Sequence, residues 1–207
     1  ENSLIILEKE IEKINFFTSS WSLQNKNLIA PYTLNITGEF GKEFKKISFE
    51  ANYKYRINKK KKITARYYLG IVKATNHIYD IQMSAWNGPK DYGFSHNFIG
   101  RSETDGILSQ QITNREGGIK HITNLSSESY LSSINLEYSL SKIFNIYIEA
   151  GTNSHEIAYG SGLHLIITDG LNIYIPLYTE SGFSDFKTLK LLRYNINLKV
   201  NFNLFSD

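Results

Sequence analysis

From residue 28 onward, apolar side chains recur at every second position. Between Leu28 and Phe40 the apolar set is Leu28, Ala30, Tyr32, Leu34, Ile36 and Phe40, with Thr33, Asn35, Thr37 and Glu39 between them. Ile47, Phe49, Ala51, Tyr53, Tyr55 and Ile57 then alternate with Ser48, Glu50, Asn52, Lys54 and Arg56, and Ile63, Ala65, Tyr67, Leu69 and Ile71 repeat the pattern. At 3.6 residues per turn such a set would scatter around a helix; at period two it lies on one face of a strand.

The second half is as regular. Ile134 to Leu140, Phe144 to Ala150, Tyr159 to Ile167 and Leu171 to Leu177 each alternate, and Leu192, Tyr194, Ile196, Leu198, Val200, Phe202 and Leu204 predict the longest strand. Weaker strands fit Tyr79 to Ala85 and Ile107 to Ile119. The pattern predicts about 10–12 strands, mostly about 9 to 13 residues long, where ordinary sheet strands average about 5 or 6 and a tilted transmembrane strand needs about 9 to 11. Residues 1–27 are a linker or first strand: Leu4, Leu7, Ile11 and Ile14 have helical spacing with Ser3 as a cap, while Ile5, Leu7, Ile11 and Phe17 suit a strand that loses phase at Lys9.

Alternation alone does not separate a soluble barrel, apolar inside, from a membrane barrel, apolar outside. Two features favour the membrane. Read back from the C-terminus, long 179–190, tight 168–170, middling 152–156, tight 139–143 and longer 121–129 alternate, as periplasmic turns and external loops do, which places the C-terminus in the periplasm. The segment Tyr194 to Phe205 is also an aromatic-rich amphipathic strand of the kind that barrel-assembly machinery reads, with Tyr194, Phe202 and Leu204 on its apolar face. Residues 28–207 are therefore expected to form an antiparallel transmembrane β-barrel in an all-β fold, or a share of a larger barrel.

Composition agrees. There are 14 Tyr and 12 Phe against 3 Pro and one Met, a strand-forming bias, and no stretch approaches an apolar membrane helix. With no Cys, disulfides and thiolate metal sites are excluded. A net charge of +3 gives no reason to expect nucleic acid, and the run Lys59 to Lys62 reads as a solvated turn. Glu1-Asn2-Ser3 has no features of a secretion signal, so a signal is expected to have been removed, or the chain to be a piece of something longer.

The middle of the chain carries runs that alternation does not account for: Asp91-Tyr92-Gly93-Phe94, Phe98 to Glu103, Gly106 to Gln111, Glu116 to Lys120, then Tyr159 to Leu163 and Ile173 to Leu177. Over roughly residues 28 to 204 they resemble the C-terminal outer-membrane barrel region of Gram-negative proteins of the aminopeptidase N-like (gluzincin) metallopeptidase type. In that family a zinc peptidase domain with an HExxH helix precedes the barrel. The resemblance implies a barrel fused to a peptidase-like module; with that module absent from these residues, no catalytic role carries over.

Candidate sites are few. His155-Glu156-Ile157-Ala158-Tyr159 begins like HExxH but has Tyr159 where the second histidine belongs, at a loop-to-strand junction rather than on a helix. His77, His96, His121 and His164 have no carboxylate or nucleophile at a recognisable spacing. The segment with Arg101, Glu103, Asp105, Gln110, Gln111, Arg115 and Glu116 reads either as a solvated loop or as a polar cluster inside the lumen, where Arg–carboxylate pairs would rigidify or plug the barrel; the lumen cluster is the working expectation. No catalytic residue, metal or cofactor is expected. The expected function is an outer-membrane anchor or scaffold for an attached or partner module in a Gram-negative envelope, in contact with outer-membrane lipid, assembly machinery and protein partners of a complex. The alternative is a narrow channel or accessory subunit of a larger transport or assembly complex.

Overall fold

Each strongly alternating segment, where it falls within the described residues, is a strand. The structure is a computed structural model that describes residues 16–42, 44–74, 82–84, 88–90, 112–113, 119–120, 127, 129–153, 155–168, 171–183 and 193–196. The strands are β1 (Phe16–Asn25), β2 (Tyr32–Gly41), β3 (Phe44–Arg56), β4 (Lys62–Ala74), β5 (Gln82–Ser84), β6 (Gly88–Lys90), β7 (Ile112–Thr113), β8 (Tyr130–Ser139), β9 (Phe144–Thr152), β10 (Ile157–Thr168), β11 (Leu171–Thr179), β12 (Gly182–Phe183) and β13 (Arg193–Ile196). No helix occurs among the described residues.

Nine strands run antiparallel in one sheet in the order β1-β2-β3-β4-β8-β9-β10-β11-β13; β7 adds to the β13 edge in parallel, and β12 pairs with β11. Among the described residues β1 and β13 do not pair, so the sheet is open. Two expectations change here. Residues 16–25 are a strand of the same sheet, which settles that part of the N-terminal segment and leaves residues 1–15 outside the described ones. Second, β4 pairs directly with β8 from Ile63↔Tyr138 to Ile71↔Tyr130, so the weak strands near 79–85 and 107–119 do not insert between them. What the structure describes there is the separate β5–β6 hairpin and the two-residue β7.

Short side chains cap the hairpins. Asn27 Oδ1 accepts from the Ile29 and Ala30 amides at 2.8 and 3.2 Å, and Asn58 Oδ1 from Lys60 and Lys61 at 2.9 and 2.8 Å. Ser141 Oγ and Asn153 Oδ1 repeat the motif in the next two turns. Such side chains offer the backbone a partner where ladder bonds stop, and so favour turns. The Asn27 motif also corrects the start of the second strand: Leu28 and Ala30 are not its first apolar residues but lie in the β1–β2 turn, with Leu28 exposed. Lys59, Lys60 and Lys61 are exposed in the β3–β4 turn, as expected, and Lys62 opens β4.

The connections 26–31, 57–61, 140–143 and 169–170 lie at one end of the sheet, called here the short-turn end. The long connection 75–129 leaves and returns at the other end.

Two glycines test how tightly the strands close. A Cβ on Gly162 would sit 2.2 Å from the Ile175 carbonyl oxygen and 2.6 Å from the Tyr147 hydroxyl, whereas one on Gly38 would meet only the Phe40 ring, at 2.8 Å. Backbone cannot yield as an exposed ring can. Gly162→Ala should therefore lower stability by about 1–3 kcal/mol in urea unfolding, and Gly38→Ala by clearly less. Equal losses would contradict the close β10–β11 approach.

Candidate functional site

The two faces of the sheet differ in an unusual sense. Along β9, Ile146 and Ile148 are 41% and 52% exposed, while the alternate residues Tyr147 and Glu149 are 4% and 5% exposed. The same inversion holds on β3 and β4, where Ile47, Tyr53, Tyr55, Ile63, Tyr67 and Ile71 are exposed and Lys46 and Tyr68 are buried. A sheet folded to hide apolar surface from water does the opposite.

On the inner face a ladder of polar side chains crosses four strands. Asn52 Nδ2 donates to Glu50 at 2.7 Å, Glu50 pairs with Arg66 at 3.2 Å, Arg66 reaches Asn135 Oδ1 at 3.4 Å, and Asn135 Nδ2 donates to Glu149 at 3.3 Å. The backbone amide of Lys120 donates to the other oxygen of Glu149. Each carboxylate taken from water thus finds donors on a neighbouring strand, which is the condition for burying it. Lys46 and Glu39 form a separate pair at 3.2 Å.

A second cluster spans β8 to β11. Glu137 accepts from Asn145 Nδ2 at 2.8 Å and meets His164 Nδ1 at 2.8 Å, and His164 Nε2 meets Asn172 Oδ1 at 3.1 Å. The ring stacks on Tyr174 with centroids 4.2 Å apart, and the Lys120 ammonium lies 4.7 Å from the Tyr174 ring centroid. This corrects the reading of His164 as lacking a carboxylate: Glu137 is its partner, 27 residues away in sequence and brought close by two hairpins. Both ring nitrogens are engaged, and no hydroxyl sits on either among the described residues.

Residues Ile119 and Lys120 belong to the long connection and reach into this inner face. Ile119 is 2% exposed, and Phe44, Val72 and Leu131 on the inner side are likewise buried. Part of that connection therefore covers the inner face beside Glu149 and Tyr174. At the short-turn end, by contrast, the inner face opens into a cleft lined by Gln24, Thr33, Asn52, Lys54, Arg56 and Thr64, among others.

The expected lumen cluster of Arg101, Glu103, Asp105, Gln110, Gln111, Arg115 and Glu116 lies outside the described residues, as do Phe202 and Leu204. Tyr194 lies in β13, where its backbone pairs with Ile173 and Ile112. His155 and Glu156 are exposed in the β9–β10 turn, and no group of acidic or histidine side chains among the described residues could hold a metal. Sequence placed Glu50 on the polar inner phase and considered His164 without its partner; the inner residues it did not single out were Arg66, Asn135, Glu137 and Glu149. Their signal was present: each is a charged or hydrogen-bonding residue in the polar phase of a long strand.

The outer face of β1–β4 and β8–β11 carries only two charges, Lys45 and Lys73, which are direct cross-strand partners. Aromatics collect near both strand ends: Tyr32, Tyr53, Tyr55 and Tyr138 at the short-turn end, and Phe17, Phe40, Tyr130, Tyr159 and Tyr178 at the other. Aliphatic residues such as Leu34, Ile134, Ile148 and Leu163 lie between.

The ladder predicts coupling. Arg66→Met should strand Glu50 and cost about 1–3 kcal/mol in unfolding, and Glu50→Gln a similar amount. The double variant should lose less than the sum. Strict additivity would show that the 3.2 Å pair contributes nothing to stability. No protein-family model and no curated protein matches this chain, so the reading of these surfaces rests on its own residues.

Proposed function

We propose that the chain is an outer-membrane β-barrel that anchors an attached or partner module at the cell envelope. The observation that carries this is the inverted exposure of its faces: apolar side chains outward, buried charge inward. A continuous exposed apolar face is far larger than soluble monomers tolerate and needs a cover, and lipid supplies one without any specific partner. Strand lengths support the same cover: β2, β3, β4, β8, β9, β10 and β11 each have 9 to 13 residues, where a tilted crossing takes about 9 to 11. The aromatic residues near both strand ends suit the two membrane–water interfaces, where ring and polar tip are each satisfied.

Anchoring rather than transport or catalysis is supported by what fills the interior. The carboxylates are occupied by cross-strand donors, His164 is held at both nitrogens, and Ile119 and Lys120 sit against Glu149 and Tyr174. Groups tied to one another in this way hold strands in register and have no spare valence for a substrate. The resemblance to barrels joined to gluzincin-type peptidase domains supports a peptidase-like module as the cargo.

Single cysteines placed from 46 to 57 in a reconstituted chain test the topology. A lipid-soluble reagent should label positions 47, 49, 53 and 55, and a water-soluble one positions 50, 52 and 54. Swapped phases, or labelling with no two-residue period, would sink the membrane reading in favour of a soluble barrel. Replacing Ile148 by Arg should hinder insertion, with a cost of up to about 2–4 kcal/mol near the midplane. In a planar bilayer the chain should conduct nothing beyond leak, and steady conductance would replace the anchor with a channel.

A further inference from the structure

We infer that Lys45 and Lys73 seat the phosphate groups of a phosphorylated glycolipid in the outer leaflet, an inference that rests on the membrane-barrel reading. The two lysines occupy opposed positions on β3 and β4, both point to the outer face, and both are exposed. Directly opposed residues on one face of an antiparallel pair have Cβ atoms about 4.5–5.5 Å apart, and like charges so placed repel. Among the described residues neither has an ion-pair partner. Glu39, the nearest acid in register, points to the inner face and pairs with Lys46. An anion bound between the two ammonium groups would relieve that repulsion.

Its surroundings say which anion. Phe40 is the cross-strand neighbour of Lys45, Phe17 that of Phe40, and Ile47 and Ile71 form the next outward rung, followed across the sheet by Tyr130. The lysine stems can lie along this apolar rim with their ammonium groups raised to headgroup depth. Lys42, exposed in the adjoining β2–β3 turn, adds a third cation at the same level. A phosphate oxygen set can accept from several ammonium groups at once, which a zwitterionic headgroup offers less well. The end is also specific. Lys45 and Lys73 lie at the end from which the long connection 75–129 emerges, the external end in outer-membrane barrels. The outer face at the short-turn end has Tyr32, Tyr53, Tyr55 and Tyr138 and no charge, and its lysines 59–61 stand in the turn instead.

The test uses the whole chain purified in detergent and offered diphosphorylated lipid A, dephosphorylated lipid A or phosphatidylglycerol, with retained lipid read by native mass spectrometry. Diphosphorylated lipid A should be retained in preference to both others. Lys45→Gln with Lys73→Gln should weaken that retention roughly tenfold or more. The charge-preserving Lys45→Arg with Lys73→Arg should keep it, and Lys59→Gln in the opposite turn should leave it unchanged. Equal retention by the double Gln variant, or of the dephosphorylated lipid, would overturn the seat, and equal retention of phosphatidylglycerol would overturn its glycolipid specificity. A chain that enters no micelle or vesicle would instead sink the membrane reading, a separate result from lipid indifference in an inserted barrel.

Discussion

Glu149 sits at 5% exposure in the middle of the sheet, and the inner face is organised around satisfying it. Its two oxygens take Asn135 from β8 and the Lys120 amide from the long connection. Asn135 can serve Glu149 because its own oxygen is occupied by Arg66, and Arg66 is held there by Glu50. Removing any one group leaves a neighbour with an unmet charge or dipole in a place water reaches poorly, which is where such losses are largest. The ladder thus fixes the register of β3, β4, β8 and β9 from inside. An apolar outer face could not do this, since exposed Ile and Leu side chains pack about equally well in any register.

That division of labour explains what could be read from the sequence. Alternation is a local property, so Ile47 to Tyr55 and Ile146 to Ala150 reveal strands and their apolar phase with no knowledge of neighbours. Partners across strands are not local. Glu137 and His164 meet only because β8, β9 and β10 run as consecutive hairpins, so residue spacing along the chain does not reveal the pair. The start of the second strand was misplaced for a related reason. Leu28 and Ala30 keep the period of two, but Asn27 takes the Ile29 and Ala30 amides and ends any ladder there. A capping side chain outranks hydrophobic phase over so short a stretch.

The long connection was read as strands because Tyr79 to Ala85 and Ile107 to Ile119 alternate weakly. The ladder shows why they are not needed between β4 and β8. Arg66 and Asn135 are direct cross-strand partners, and an inserted strand would part them and with them the route from Glu50 to Glu149. The connection is freed to send Ile119 and Lys120 inward, where the Lys120 amide completes the coordination of Glu149 and its ammonium lies over Tyr174. One loop therefore contributes to the same network as four strands, so that covering the inner face and holding the register are one set of contacts.

Strand direction sets the remaining condition on a closed barrel. Counting through the order β1-β2-β3-β4-β8-β9-β10-β11-β13, neighbours reverse at every step, so the first and ninth strands run the same way. Antiparallel closure needs an even number, which is why single-chain bacterial barrels have one. In the reading proposed above, β1 and β13 can meet only in parallel or through a tenth strand. The parallel option already has a local precedent, since β7 meets β13 in that sense over Ile112 and Thr113, but those two rungs are a short pairing and parallel ladders are the weaker kind. The inner side of β1 argues for the tenth strand. Ser20 and Ser22 point inward and bond to Thr37 and Asn35 of β2, so β1 continues the polar inner face up to the edge that is unpaired among the described residues. Its Phe17, Trp21 and Leu23 continue the apolar outer face with exposures of 58–70%. An edge strand built with both faces of an interior one is fitted for a neighbour on its open side, and direction requires that neighbour to run opposite to β1 and β13 alike.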